Sequence, residues 1–318
     1  MSIYLPIAEI PIDIFLLLLV GTCGGLLAGL FGIGGGFLVT PILIFIGVPP
    51  SVAVATSANQ IIASSVTGFM NQWYRKNVDL KMGLFLLIGG LIGSYIGILI
   101  FTWLKNIGQI DIAISLIYVI FLGGIGGLMF IESGKNLLHL EAHLPRDKKF
   151  KFHLVDILGF RYLTGKLKNI HMPYVLEFEK SGLKVSLISP ILIGAIAGIM
   201  VSIMGIGGGF LMIPAMIYLL KMPPNIVVGT SLFQIIFTSS VVTLMHSVST
   251  KSVDMVLAVI LIIGGVIGAQ FGSRMSNKIP ALKLRFFLSI LILAVCLRLG
   301  FGLFLEPENL YSLSVNSD

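Results

Sequence analysis

Charge is scarce in this sequence. Asp, Glu, Lys and Arg make up 11% of its 318 residues, where a soluble domain carries about 25%, so an ordinary soluble fold is excluded at the outset. No Asp or Glu lies in the middle of an apolar segment, which removes both a paired-carboxylate active site and an acidic proton relay of the usual membrane kind. Cysteine is confined to Cys23 and Cys296, each inside an apolar segment, where a small buried hydrophobe is expected rather than a disulfide or a thiolate metal site. There is no His/Cys cluster at metal-ligand spacing, so no metal or cofactor is expected. With acid, base and metal groups missing, the chain is not expected to be an enzyme. No Lys or Arg precedes the first apolar run, whose flank carries Glu9 and Asp13 instead, so a cleaved secretory signal is not expected either.

What the sequence does hold is apolar runs. The composition is 56% hydrophobic, and runs of roughly 20 residues recur, the length that crosses a bilayer as a helix. The expected class is an all-α polytopic membrane protein with the lipid bilayer as its surroundings. The formal charge of +7 raises nucleic acid as a partner, but the basic residues lie in the connections between apolar segments, where the positive-inside rule puts them, so none is expected. Apolar segments are expected at about 12–31, 36–47, 49–73, 82–104 and 110–131. Residues 132–184 then hold ten Lys or Arg and six Asp or Glu and no run long enough to span. This stretch reads as a cytoplasmic insertion, with a small hairpin from Tyr174 to Val185 around Lys180-Ser181-Gly182.

The pattern then starts again, at about 187–204, 209–220, 223–248, 253–275 and 282–304. Gly32-Ile33-Gly34-Gly35-Gly36 returns as Gly205-Ile206-Gly207-Gly208-Gly209, Pro49-Pro50 as Pro223-Pro224, Thr56-Ser57 as Thr230-Ser231, and Gln60 as Gln234. Gly89-Gly90 with Gly93 likewise matches Gly264-Gly265 with Gly268; glycines four apart on one helix face let helices approach closely. The chain is thus read as duplicated, with a first membrane repeat over 1–131, the insertion over 132–185 and a second repeat over 186–318.

Charge relates the repeats to each other. The third connection carries Arg75, Lys76 and Lys81 in the first half but only Lys251 in the second; the fourth carries only Lys105 in the first half but Arg274, Lys278, Lys283 and Arg285 in the second. A swapped bias follows from an odd number of crossings per half, giving inverted-topology repeats with both termini outside. The short second segment, about 12 residues or roughly 18 Å, falls short of a bilayer near 30 Å thick and should span only half of it.

That length places both glycine clusters toward mid-membrane, where a glycine turn opening a helix leaves backbone N–H groups unpaired and suited to an anion. Segment 1, at roughly 20 residues, is long enough to carry Gly32 to the far surface instead. Counting along segment 3 from the Pro49-Pro50 corner puts Thr56 roughly 10 Å deep and Gln60 roughly 16 Å deep. Thr56, Gln60 and Ser64 share a face, as do Thr230, Gln234 and Thr238. The expected substrate site is therefore Gly34, Gly35, Gly36, Gly207, Gly208 and Gly209, with Thr56, Ser57, Asn59, Gln60, Thr230, Ser231 and Gln234 as side-chain donors. For each of these side chains the competing reading is a hydrogen bond to its own or a neighbouring helix. His246 and Arg298, near segment ends, are expected to snorkel or lie at the interface.

The paired Gly-Ile-Gly-Gly-Gly motifs, the Pro-Pro corners and the Thr-Ser then Gln pattern together resemble the sulfite exporter TauE/SafE family of membrane permeases, over both apolar halves but not the central insertion. The resemblance implies an inner or plasma membrane transporter of small sulfur-containing anions, such as sulfite or an organosulfonate, often in the export direction. The alternative is a membrane ligand sensor or interaction protein acting through the cytoplasmic insertion.

Overall fold

The computed structural model describes residues 2–32, 34–141, 175–178, 180–275 and 281–304. An antiparallel hairpin, β1 (Ser2–Leu5) with β2 (Ile10–Asp13), leads into α1 (Ile14–Phe31), α2 (Gly36–Phe45), α3 (Pro50–Tyr74), α4 (Leu80–Asn106) and α5 (Ile110–Glu141). A second hairpin, β3 (Val175–Phe178) with β4 (Leu183–Ser186), leads into α6 (Ile188–Met204), α7 (Gly209–Tyr218), α8 (Pro224–Met245), a π-turn (His246–Thr250), α9 (Met255–Met275) and α10 (Ala281–Phe304). Five of the described helical stretches are long and apolar enough to cross a membrane: α1, α4, α5 as far as Ile131, α8 with its π-turn, and α9. The molecule is an all-α polytopic membrane protein.

Sequence chemistry explains most of the boundaries. Pro49 and Pro223 stand just before α3 and α8, with Pro50 and Pro224 opening the helices, where a missing N–H costs nothing. Asp79 caps α4 by accepting from Met82 N–H at 3.0 Å. Asp254 does the same before α9, accepting from Val256 and Leu257 N–H at 3.1 Å each. Helix α5 continues to Glu141, past the expected boundary at 131; 132–141 holds no proline, and its single glycine, Gly134, costs only about 1 kcal/mol inside a helix. Residues 142–174 of the expected insertion and the tail beyond 304 lie outside the described residues, as does Ile33 of the first glycine motif.

The hairpin expected around Lys180-Ser181-Gly182 is present, and the N-terminal hairpin is its unforeseen counterpart. Gly182 turns at φ 64° and returns its N–H to Phe178 O at 2.8 Å; Glu9 turns at φ 56° and returns its N–H to Leu5 O at 2.9 Å.

Between halves, α1 packs on α9 and α6 on α4, α3 packs on α9 and α8 on α4, while α3 meets α8 and α5 meets α10. Exchanging one half for the other leaves this set of pairings unchanged. Packing between helices is tightest where glycines face backbone: a Cβ on Gly25 would overlap the Gly265 carbonyl, and one on Gly198 the Gly90 carbonyl. In lipid, where no hydrophobic force draws helices together, such close contact is the main source of association. With its glycine side turned to α9, α1 leaves Cys23 exposed on the opposite side, against the expectation of burial, whereas Cys296 is buried.

A second correction concerns His246. It is fully buried rather than snorkelling, because Phe101 covers it edge-on at 4.5 Å and the Ser202 carbonyl lies 3.0 Å from Nε2. Arg298 stays exposed and lies over the Phe45 ring at 5.0 Å.

Candidate functional site

Each glycine motif is a turn joining two helices. Gly32 ends α1 at φ 69°, and Gly34 and Gly35 follow at φ 90° and 71°; Gly205, Gly207 and Gly208 repeat this at 65°, 83° and 66°. Three left-handed residues within four positions are accessible to glycine and strained for other residues. The turns also satisfy part of their own backbone: Gly36 N–H reaches Gly34 O at 3.0 Å and Leu38 N–H reaches Gly35 O at 3.3 Å, and Gly209 and Leu211 do the same at 2.7 and 3.1 Å. Fewer N–H groups are left over than the motif alone promises. Phe210 N–H meets no backbone acceptor among the described residues.

The two turns meet. A Cβ on Gly34 would lie 3.2 Å from Ile61 Cγ2 and one on Gly207 2.8 Å from the same atom, while one on Gly36 would lie 2.7 Å from Gly205 O. Ser64 Oγ donates to Gly34 O at 3.2 Å. Phe37 and Phe210, each one residue after its motif, stack with centroids 5.5 Å apart and planes 14° apart. Ile61 lies midway along α3 and Ile235, 3.8 Å from the Gly34 position, midway along α8. Both turns therefore sit level with the middle of the long helices, not at the far end that the length of segment 1 allowed.

The expected side chains divide into two groups. Thr56 and Thr230 are fully buried, but their hydroxyls face helix starts in the opposite half: Thr56 Oγ1 accepts from Asp254 N–H and Thr230 Oγ1 from Asp79 N–H, both at 3.0 Å. Asn59 donates to Thr56 O at 3.3 Å and Ser231 to Val228 O at 3.0 Å, each within its own helix. Ser57 is nearer the motifs; its Oγ lies 2.7 Å from Thr40 Oγ1 of α2 and 3.5 Å from Gly205 O.

Gln60 and Gln234 behave differently. Both are fully buried, and each is pressed into a glycine notch of a neighbouring helix: a Cβ on Gly265 would touch Gln60 Cγ at 2.7 Å, and one on Gly90 would meet Gln234 Nε2 and Thr238 Oγ1. Gln234 Nε2 donates to Thr238 at 2.7 Å. Gln60 Nε2 and Oε1, Gln234 Oε1, and the hydroxyls of Ser65 and Ser239 have no partner among the described residues. Each such atom costs about 1–3 kcal/mol unless water or a ligand completes it.

Sequence reasoning missed the two buried aspartates. Asp79 is 3% exposed and Asp254 0%, and each also receives a hairpin: Ile7 N–H donates to Asp254 Oδ2 at 2.9 Å, and the Ser181 hydroxyl to Asp79 Oδ2. The available signal was the cap pattern, Asp immediately before an apolar helical run. Thr40, Ser65 and Ser239 were missed as well; the last two were legible only as further matches in the repeat. Among the described residues there is no group of three His, Cys, Asp or Glu able to hold a metal.

The interior of this multi-pass membrane protein thus holds a duplicated polar set with unsatisfied atoms on Gln60, Ser65, Gln234 and Ser239. Residues 17–299 match the family model described as sulfite exporter TauE/SafE. The chain is 29% identical to the probable membrane transporter protein YunE of Bacillus subtilis (strain 168), over 91% of this chain and 98% of that protein. It is also 29% identical to the probable membrane transporter protein MJ0441 of Methanocaldococcus jannaschii, over 87% and 91%. The sulfite exporter TauE/SafE family protein 3 of Arabidopsis thaliana is 30% identical over 33% of this chain and 24% of its own length. No solved structure matches the chain.

Proposed function

Because the chain belongs to the sulfite exporter TauE/SafE family of membrane transporters, we propose that it moves a small sulfur-containing anion, such as sulfite or an organosulfonate, across the plasma membrane in the export direction. The two halves act as inverted repeats that rock about a site between them and expose it alternately to each side. The observation carrying this reading is the duplicated set of buried atoms on Gln60, Ser65, Gln234 and Ser239 that have no partner among the described residues, with the Ser65 hydroxyl 3.5 Å from the Cβ position of Gly34, where the two glycine turns meet. A ligand or water that completes those bonds offsets a standing cost. Neutral donors bind a small anion without the desolvation cost of a fixed buried cation.

Exchange symmetry of the helix pairings supports the duplication, and the swapped charge of the connections supports the inverted arrangement, with both termini outside and residues 132–185 cytoplasmic. Segments 1–131 and 186–318 are then the two repeats. Within the site, Gly34 to Gly36 and Gly207 to Gly209 supply backbone, and Gln60 and Gln234 supply amides. Ser57 is close enough to contribute, while Thr56 and Thr230 hold the starts of helices in the opposite half.

The test is flux in proteoliposomes. Purified parent protein should carry labelled sulfite or sulfoacetate, and Gln60→Ala and Gln234→Ala should each lower the rate at least tenfold with the protein still folded. Unchanged flux in both variants overturns the site; absence of flux for every sulfur oxyanion and sulfonate tried overturns the substrate class.

A further inference from the structure

Ile61 is fully buried midway along α3 and reaches both glycine turns. A Cβ on Gly36 would lie 2.2 Å from its Cδ1 and 2.6 Å from its Cγ1, and one on Gly34 would lie 3.2 Å from its Cγ2. From the second half, a Cβ on Gly207 would meet Cγ2 at 2.8 Å, Cδ1 at 3.3 Å and Cγ1 at 3.6 Å. Every carbon of the side chain beyond Cβ is therefore wedged between motif glycines. At Gly34 and Gly207, the missing side chain that positive φ already favours is also what lets Ile61 in. The mirror contact is looser. Ile235 matches Ile61 in the repeat and is equally buried, but its Cγ2 lies 3.8 Å from the Gly34 position, against 2.8 Å from Ile61 Cγ2 to the Gly207 position. One half thus supplies the tighter wedge.

Ile61 also interrupts a polar line. Ser57, Ile61, Ser64 and Ser65 follow at the spacings that share one side of a helix, and all four are buried. Ser57 Oγ lies 3.5 Å from Gly205 O, and Ser64 Oγ donates to Gly34 O at 3.2 Å. The Ser65 hydroxyl, 3.5 Å from the Gly34 Cβ position, has no partner among the described residues. Ser57 and Ser65 stand four residues before and after Ile61, roughly 6 Å along the axis in each direction. Neutral hydrogen-bonding groups able to hold an anion are thus present on both sides of the isoleucine. At its own level the side chain offers none, and a polar solute there goes without hydrogen bonds. An apolar constriction between two polar stretches is a barrier that ions and water cross only when it opens.

We propose that Ile61 is a size-selecting plug: it closes the passage between the two glycine turns, and the space its side chain leaves when the halves move sets the largest anion that passes. The class of substrate rests on the transport reading; the closure itself does not. Anions the size of sulfite or methanesulfonate pass, while the tails of longer sulfonates are stopped by Cγ1 and Cδ1. A shorter side chain at position 61 admits a longer tail and closes the passage less completely.

Two measurements on the full chain in proteoliposomes decide it. Ile61→Ala deletes the atoms that touch the glycines, Ile61→Val deletes Cδ1 alone, and Ile62→Ala makes the same truncation at the half-buried neighbour. The first measurement is the ratio of propanesulfonate to methanesulfonate flux. It should rise from parent to Ile61→Val to Ile61→Ala, about tenfold in all, the scale on which a pocket discriminates methylene groups, while Ile62→Ala keeps the parental ratio. The second is chloride efflux from liposomes loaded with potassium chloride and clamped with valinomycin, which needs no substrate. Ile61→Ala should leak severalfold faster than the parent and Ile62→Ala. A changed ratio or a chloride leak specific to position 61 upholds the plug; neither change, or equal changes in Ile62→Ala, overturns it. Where Ile61→Ala does not fold, Ile61→Val decides by the same readings. If the parent carries no sulfonate and Ile61→Ala leaks chloride, the plug stands and the transport reading falls. If the parent carries sulfonates while position 61 alters neither ratio nor leak, the plug falls alone.

Discussion

Asp254 N–H donates to Thr56 Oγ1 at 3.0 Å, joining residues 198 positions apart, and the pair Asp79 and Thr230 repeats the bond at the same length. Each third long segment thereby holds the start of a helix in the other half. A two-fold exchange of halves turns one bond into the other.

The aspartates should therefore be stability residues. Asp254→Ala leaves the N–H groups of Ile7, Val256 and Leu257 without their acceptor and should cost about 2–3 kcal/mol, with Thr56→Val costing about 1 kcal/mol. Because the shared bond uses the Asp254 backbone N–H, which Asp254→Ala keeps, Thr56→Val should still cost about 1 kcal/mol in the double variant. Denaturant unfolding of the purified protein in detergent measures all three.

The buried glutamines should show the opposite sign. Gln60→Met removes two unpartnered polar atoms from a fully buried position and should raise stability by about 1 kcal/mol or more. The same change should abolish the thermal shift produced by a bound sulfonate. A lower melting temperature with the ligand shift retained would show that Gln60 is a helix link and not part of the site.

Glycine substitutions should separate by location. Gly124, inside α5, has open space where a Cβ would go, whereas a Cβ on Gly25 would overlap the Gly265 backbone. Gly124→Ala should raise the melting temperature, through helix propensity of about 1 kcal/mol. Gly25→Ala, with the same propensity gain, should lower it because α1 and α9 must part. Differential scanning fluorimetry of the two variants compares the signs directly.

Joining residue 141 to residue 175 tests whether the charged insertion carries the activity. The hairpin must stay, since the Ser181 hydroxyl binds Asp79 and Lys180 Nζ donates to Val78 O at 3.2 Å. The shortened protein should retain at least half of the parental anion flux in proteoliposomes. Loss of flux with normal folding would favour the sensor reading over the transporter.

Much of this architecture was legible because its causes are local. Segment lengths, the Pro-Pro corners and the duplicated glycine turns follow from hydropathy and backbone sterics, which short stretches of sequence carry in full. The N-terminal hairpin was not legible, since Glu9 takes the left-handed position that Gly182 occupies in the other copy and gives no glycine signal. His246 was misread because its burial depends on Phe101 and Ser202, each at least 44 positions away.

The glycine motifs show the same division. Sequence by itself determined that they turn the chain, that they occur twice, and that the segments after them are too short to span. Tertiary structure decided that the two turns share Ile61 and lie at helix mid-length. It also decided that Thr56 and Thr230 bind helix starts while Gln60 and Gln234 keep unpartnered atoms. The reason is physical: a hydroxyl or amide in an apolar interior takes whichever partner the packing of distant helices brings within about 3 Å, and nothing in its own neighbourhood of sequence fixes which helix that is.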